Sequence, residues 1–126
     1  MIRRSKVVIL AFVTLAAFPA QLLLAADRKA DEMAGAVLFR SQDCGHCHIV
    51  SGVGGKKGPE LTNINKDKLW TAARITNQIL NGGQKMPPFS DALTDAQIAQ
   101  IVAYLEAKHR PVPSPSANPP APAPAP

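Results

Sequence analysis

Three stretches of the chain carry apolar residues at helical spacing. Met33 and Val37, with Leu38, give the first an inward face, and Asp31 and Glu32 suit an N-terminal turn, so the pattern predicts a helix from Asp31 to Ser41. Gly35 inside it costs about 1 kcal/mol relative to alanine. Close approach by another helix would explain it, with Phe39 one turn later in the same contact. In the second stretch Ala72, Ile75 and Ile79 share a face, with Leu69 and Leu80 at its margins. This predicts a helix from Lys68 to Asn81, ended by Gly82-Gly83. The third is the most strongly signalled. Thr94 and Gln97 spell a capping box, Leu93 and Ile98 a hydrophobic staple, and Ile98, Ile101, Val102 and Leu105 the stripe. Lys108, His109 and Arg110 suit its C-terminal dipole, with His109 in solvent and Tyr104 in the core.

The connections read differently. From Ile49 to Leu61, Ser51-Gly52, Gly54-Gly55 and Gly58-Pro59 signal loop, with Gly52 to Gly55 a flexible turn. Gly52 to Gly55 lack the spacing of a phosphate-binding loop. Pro87 and Pro88 hold the chain after Met86 extended. At the N-terminus, Arg3, Arg4 and Lys6 precede an apolar run, and small residues end it at Ala25-Ala26. This reads as an export signal over residues 1–26, cut after Ala26. Leu24 departs from the small-residue rule and the run is long, so an uncleaved membrane anchor is the alternative. From Pro111 to Pro126 the chain is a Pro/Ala-rich polyproline-type tail, an inert solvated end or a spacer.

What remains is one domain over residues 27–110, about 80 residues, which buries only a modest core unaided. The full chain carries 14 basic and 9 acidic side chains, a formal net charge of +5. Without Arg3, Arg4 and Lys6 the balance is 11 against 9, a net charge of +2. That bias is too mild for the dense basic face nucleic acid requires. It suits docking to acidic protein partners.

The candidate chemistry lies in Cys44-Gly45-His46-Cys47-His48. Two thiols three positions apart with a histidine directly after the second form the C-x-x-C-H signal for attaching a c-type haem. Each thiol adds to one vinyl group, and the adjacent imidazole reaches the iron. Cys44 and Cys47 are the chain's two cysteines. A structural zinc site would want a second ligand pair, and His109 is the one other histidine. A redox dithiol would want a βαβ setting. A plain disulfide would leave His48 without a role. A covalent haem would add apolar surface to the small core, so the apoprotein should fold poorly. Around it, Pro59 offers a rigid carbonyl for the His48 ring, and Trp70 is either a haem-edge contact or ordinary core. Met86 supplies a soft thioether, a packing residue unless the fold brings it to iron. Once residues 1–26 are removed, Met33 and Met86 are the remaining methionines.

Taken together, Cys44-Gly45-His46-Cys47-His48, Gly58-Pro59-Glu60-Leu61, Met86-Pro87-Pro88-Phe89 and Ile101-Val102-Ala103-Tyr104-Leu105 resemble a small bacterial monohaem class I cytochrome c from about Asp31 to Lys108. The resemblance implies an all-α fold of three main helices wrapped round one haem. It implies thioethers to Cys44 and Cys47, His48 as proximal ligand held by the Pro59 carbonyl, and Met86 as distal ligand. Gly35 and Phe39 match the place where the first helix crosses the last near Ile101 and Tyr104. The Pro/Ala tail departs from the family pattern. The implied function is one-electron transfer without catalysis, by an exported monomer in the periplasm. Its partners would be a dehydrogenase, a quinol oxidoreductase or a terminal oxidase. A dedicated haem subunit of one oxidoreductase complex is the second reading. A peroxidase or gas-binding protein is the third, and it requires Met86 to be off the iron.

Overall fold

No proline interrupts the chain between Gln21 and Ser41, and the first helix is longer than the apolar pattern predicts. The computed structural model describes residues 18–112. In it α1 runs Phe18–Ser41. Pro19 falls in the first turn, where its missing N–H has no intrahelical partner to lose. Asp31 and Glu32 therefore sit in mid-helix, not at an N-terminus. The basic n-region and much of the apolar run expected of a signal, and the tail from residue 113, lie outside the described residues. The chain divides into two compact units, Met1–Ala30 and Asp31–Pro126. In the first, the helical residues from Leu23 onward are exposed. No helix among the described residues is long and apolar enough to cross a membrane.

The second unit holds the core. In α1 the buried set is the consecutive run from Gly35 to Phe39, whereas Met33, expected on the inner face, is 42% exposed. The rest of that face comes from α2, Ala72–Asn81, and α3, Asp95–Glu106. Ile75 and Ile79 of α2 are buried together with Ile98, Ile101, Val102, Tyr104 and Leu105 of α3. Gly35 explains how α1 reaches α3. A Cβ there would overlap the Gln100 carbonyl oxygen and crowd Tyr104. With hydrogen in its place, Phe39 and Tyr104 bring their rings to 5.6 Å between centroids. This is the helix crossing the resemblance implies.

Helix ends follow local chemistry. The capping box at Thr94 and Gln97 is present, and Leu93 and Ile98 are both buried. α2 begins at Ala72 rather than Lys68 because the preceding residues have better partners. Asp67 Oδ1 accepts the Leu69 N–H at 2.9 Å, and Thr71 caps the Arg74 N–H. Ala72, expected on the inner face, is exposed as a result. α2 stops at Gly82, with φ of 67°. α3 stops at Glu106, and Ala107 turns extended with its side chain buried. Lys108, His109 and Arg110 thus lie beyond the helix instead of in its last turn. Arg110 folds back, and its Nη2 donates to the Leu105 carbonyl at 2.6 Å.

The stretch from Ile49 is not a plain loop. β1, Ile49–Val50, pairs antiparallel with β2, Val53–Gly54, in the register Ile49 to Gly54 and Val50 to Val53. Ser51 and Gly52 both have positive φ, 52° and 80°. That is the two-residue turn that matches strand twist. Two-residue strands are too short to show alternation, so periodicity could not reveal them. Their effect is to return the chain to the cysteine turn, where the Gly55 N–H donates to the Gly45 carbonyl at 2.9 Å.

Candidate functional site

Where α1 ends, Asp43 turns left-handed at φ 58° and Cys44–His46 form one turn of 3-10 helix. The Cys47 and His48 N–H groups both return to the Cys44 carbonyl, at 3.2 and 3.0 Å. This tight turn places Cys44, Cys47 and His48 along the wall of one cleft of about 1440 Å³. Ligand pockets are usually about 300–1,000 Å³, so the cleft suits a large group. Both cysteines are free and half-buried. Burial pushes the Cys44 thiol up to about 11, so the protonated form is the stable one there.

His48 is held by its outer nitrogen. Nδ1 lies 2.8 Å from the Pro59 carbonyl oxygen. A carbonyl only accepts, so Nδ1 carries the proton, which in the neutral ring leaves Nε2 its lone pair. Gly58 lies against the same ring, and a Cβ on it would come within 2.7 Å of His48 Cε1. The Gly58 N–H donates to the Cys47 carbonyl at 2.8 Å and Leu61 to Ile49 at 2.8 Å. The 58–61 segment is thus strapped to the strand that follows His48.

The far part of the cleft is made by α2 and the loop after it. Ile75, Gln78, Ile79, Met86 and Phe89 line it, with Leu105 from α3. Met86 is partly buried against the core, as is Trp70. A smaller apolar chamber of about 40 Å³ also has His48, Cys44 and Met86 in its walls. The Met86 loop is fastened at its base. The Gly83 N–H donates to the Met86 carbonyl at 2.8 Å, Phe89 N–H to the Ile79 carbonyl at 3.1 Å, and Gln78 Nε2 to the Gly82 carbonyl at 2.8 Å. Trp70 lies on the cleft wall with the Arg74 guanidinium 4.4 Å from its ring, a cation–π contact. Lys56, Lys57, Lys66 and Lys85 line the cleft and are exposed. Lys57 Nζ also meets His46 Nε2.

All six residues singled out in the sequence, Cys44, Cys47, His48, Pro59, Trp70 and Met86, belong to this one cleft. Sequence reasoning passed over Gln78 and Arg74, and gave Arg110 a place only at the helix dipole. Gln78 had a readable signal, a side-chain amide four residues before the helix-ending glycine. Arg110 had none, because its partners lie 5 to 49 positions away.

The donor set suits a c-type haem. Two thiols stand beside an imidazole that could offer a nitrogen to a metal, a thioether shares the space, and the remaining wall is largely apolar. Comparison with known proteins agrees. Residues 30–105 match the family described as cytochrome C oxidase, cbb3-type, subunit III. The chain is 32% identical over 78 residues to cytochrome c6 of Aphanizomenon flos-aquae, covering 60% of this chain and 88% of that protein. It is 33% identical over 85 residues to cytochrome c6 of a Nostoc species, covering 63% of this chain and 72% of that one. No solved structure matches the chain significantly. The chain belongs to the c-type cytochromes, and its three-helix fold is that of class I. It is a haem protein that transfers electrons to and from redox partners, and not an enzyme.

Proposed function

We propose that this cytochrome is a periplasmic one-electron carrier with a single haem, joined covalently to Cys44 and Cys47 and ligated by His48 and Met86. The observation that carries the reading is the shared cleft. His48, with Nε2 free, lines it together with both thiols and Met86. When bound there, a c-type haem supplies the one-electron chemistry. The protein's part is to hold and exclude. Pro59 fixes the imidazole, the apolar wall keeps water out, and the fastened Met86 loop presents sulfur. With both His48 and Met86 holding it, the haem would have no position open for a substrate, which favours carrying over catalysis. In this reading residues 1–26 are the export signal, cleaved or kept as an anchor, and Pro111 to Pro126 form a tail outside the haem domain.

The test is haem retention. One haem per chain should stay with the protein under denaturing conditions, and Cys44→Ala with Cys47→Ala should abolish this. Haem lost on denaturation from the wild type would contradict covalent attachment. The mature periplasmic protein should begin at Asp27.

The family description favours a second arrangement, a dedicated haem subunit of a terminal oxidase. Copurification separates the two. A carrier, anchored or not, purifies by itself, whereas a subunit comes out with its complex.

A further inference from the structure

Arg110 lies beyond the last helix, yet it donates to carbonyls on two separate segments. It is partly buried, and burial lowers its pKa below the usual guanidinium value. Nη1 donates to the Thr62 carbonyl at 2.7 Å, and Nη2 to the carbonyls of Leu61 at 3.4 Å and Leu105 at 2.6 Å. The guanidinium therefore joins the end of α3 to the segment that begins with Gly58-Pro59. That segment is already tied on its other side, through Leu61 to Ile49 and through Thr62 Oγ1 to the Ser51 N–H at 3.0 Å. His48 directly precedes the first of these ties and hangs from the Pro59 carbonyl. A planar fork with five donors can hold carbonyls on two separate segments at once. An ammonium is a single point charge and does this poorly.

We propose that Arg110 is a positioning residue for the His48 imidazole: by clamping the Leu61 and Thr62 carbonyls to the end of α3, it holds the Pro59 carbonyl on Nδ1–H. The inference rests on the reading of His48 as iron ligand. Its consequence is electronic as well as structural. A ring N–H held firmly by a carbonyl makes the other nitrogen a stronger donor, and a stronger donor favours Fe(III). Loosening the clamp weakens the donor and raises the reduction potential. Losing a positive charge does the opposite, because it eases the oxidised state.

The experiment compares Arg110→Lys and Arg110→Gln in the haem-loaded protein. It reads the potential, the solvent exchange of the His48 Nδ1 proton by NMR, and thermal unfolding. The clamp predicts that Arg110→Lys raises the potential and speeds Nδ1–H exchange by at least tenfold, although charge is kept. If Arg110→Lys matches the wild type and Arg110→Gln lowers the potential, Arg110 acts by charge alone and the inference is overturned. A lower melting temperature with exchange and potential unchanged assigns it a purely structural role, which also overturns it. Should neither variant keep its haem, exchange is followed in the wild type through a urea series. Nδ1–H must then open together with the Arg110 side-chain protons. Opening of Arg110 with Nδ1–H still protected overturns the clamp. Absence of paramagnetically shifted His48 ring signals in the oxidised wild type would instead refute the ligand reading beneath it.

Discussion

Gly58 stands so close to His48 that a Cβ built on it would lie 2.7 Å from Cε1 and 2.9 Å from Nδ1 of the ring. The same ring is fixed at Nδ1 by the Pro59 carbonyl at 2.8 Å. Neighbouring residues thus set both the orientation of the imidazole and the room around it. Gly58→Ala must push the ring or the backbone aside. Overpacking of this kind costs about 1–3 kcal/mol, and in a domain of this size each kcal/mol lowers Tm by about 4–8 °C. Thermal unfolding of the haem-loaded variant checks it. A melting temperature equal to that of the wild type would mean that the site has slack.

Gly35 is a second close approach, with different consequences. Its partner is the Gln100 backbone, not the cleft. Gly35→Ala should destabilise by about 1–3 kcal/mol, while the spectrum and potential of the surviving folded protein stay those of the wild type. A shifted potential would show that the crossing of α1 and α3 controls the cleft as well.

Much of this was legible in the sequence where the signal is local. The five residues from Cys44 to His48 announce their chemistry through spacing alone. Thr94 and Gln97 announce the start of α3 because a capping box is completed within four residues. Long-range features were not legible. The β-branched residues of the hairpin, Ile49, Val50 and Val53, span too few positions for a period. The early start of α1 was hidden because residues 1–26 read as an export signal and Asp31 and Glu32 as an N-terminal turn. Met33 keeps helical spacing but is half in solvent, because the buried part of α1 is the short run around Leu38. Arg110 reads as one more cation after a helix, and only the fold shows that it turns back to three carbonyls.

Charge around the cleft should govern partner encounter. Lys85 adjoins Met86, and Lys56 and Lys57 lie on the same cleft and are exposed. Exposed charges are screened over about 8 Å at physiological salt. Electron-transfer rates with the native partner should therefore fall as ionic strength rises, and Lys85→Glu should slow them at low salt. Stopped-flow kinetics checks this. Rates indifferent to both would remove steering from the account.

The tail allows a sharp comparison. Removing Pro111 to Pro126 should leave haem content, spectrum and Tm unchanged, since a Pro/Ala composition cannot build a core. Removing one residue more should not be silent, because Arg110 would go with it, and with it three hydrogen bonds to backbone. A loss of several degrees from the shorter deletion would show that the tail packs on the domain.

The central claim is that His48 and Met86 together close the iron. Sulfur ligation favours Fe(II) and raises the potential, and axial ligand choice spans about 0.8 V across haem proteins. Met86→Ala should therefore lower the potential substantially and open the sixth position to water, cyanide or carbon monoxide, with peroxidase-like activity appearing. Met33→Leu should do none of this. The most direct measurement is the red-region absorption of the oxidised protein, where a sulfur-to-Fe(III) transition gives a weak band. The wild type and Met33→Leu should show the band, and Met86→Ala should lack it. A wild type without the band that binds carbon monoxide readily at neutral pH would contradict the account and make this a ligand-binding haem protein.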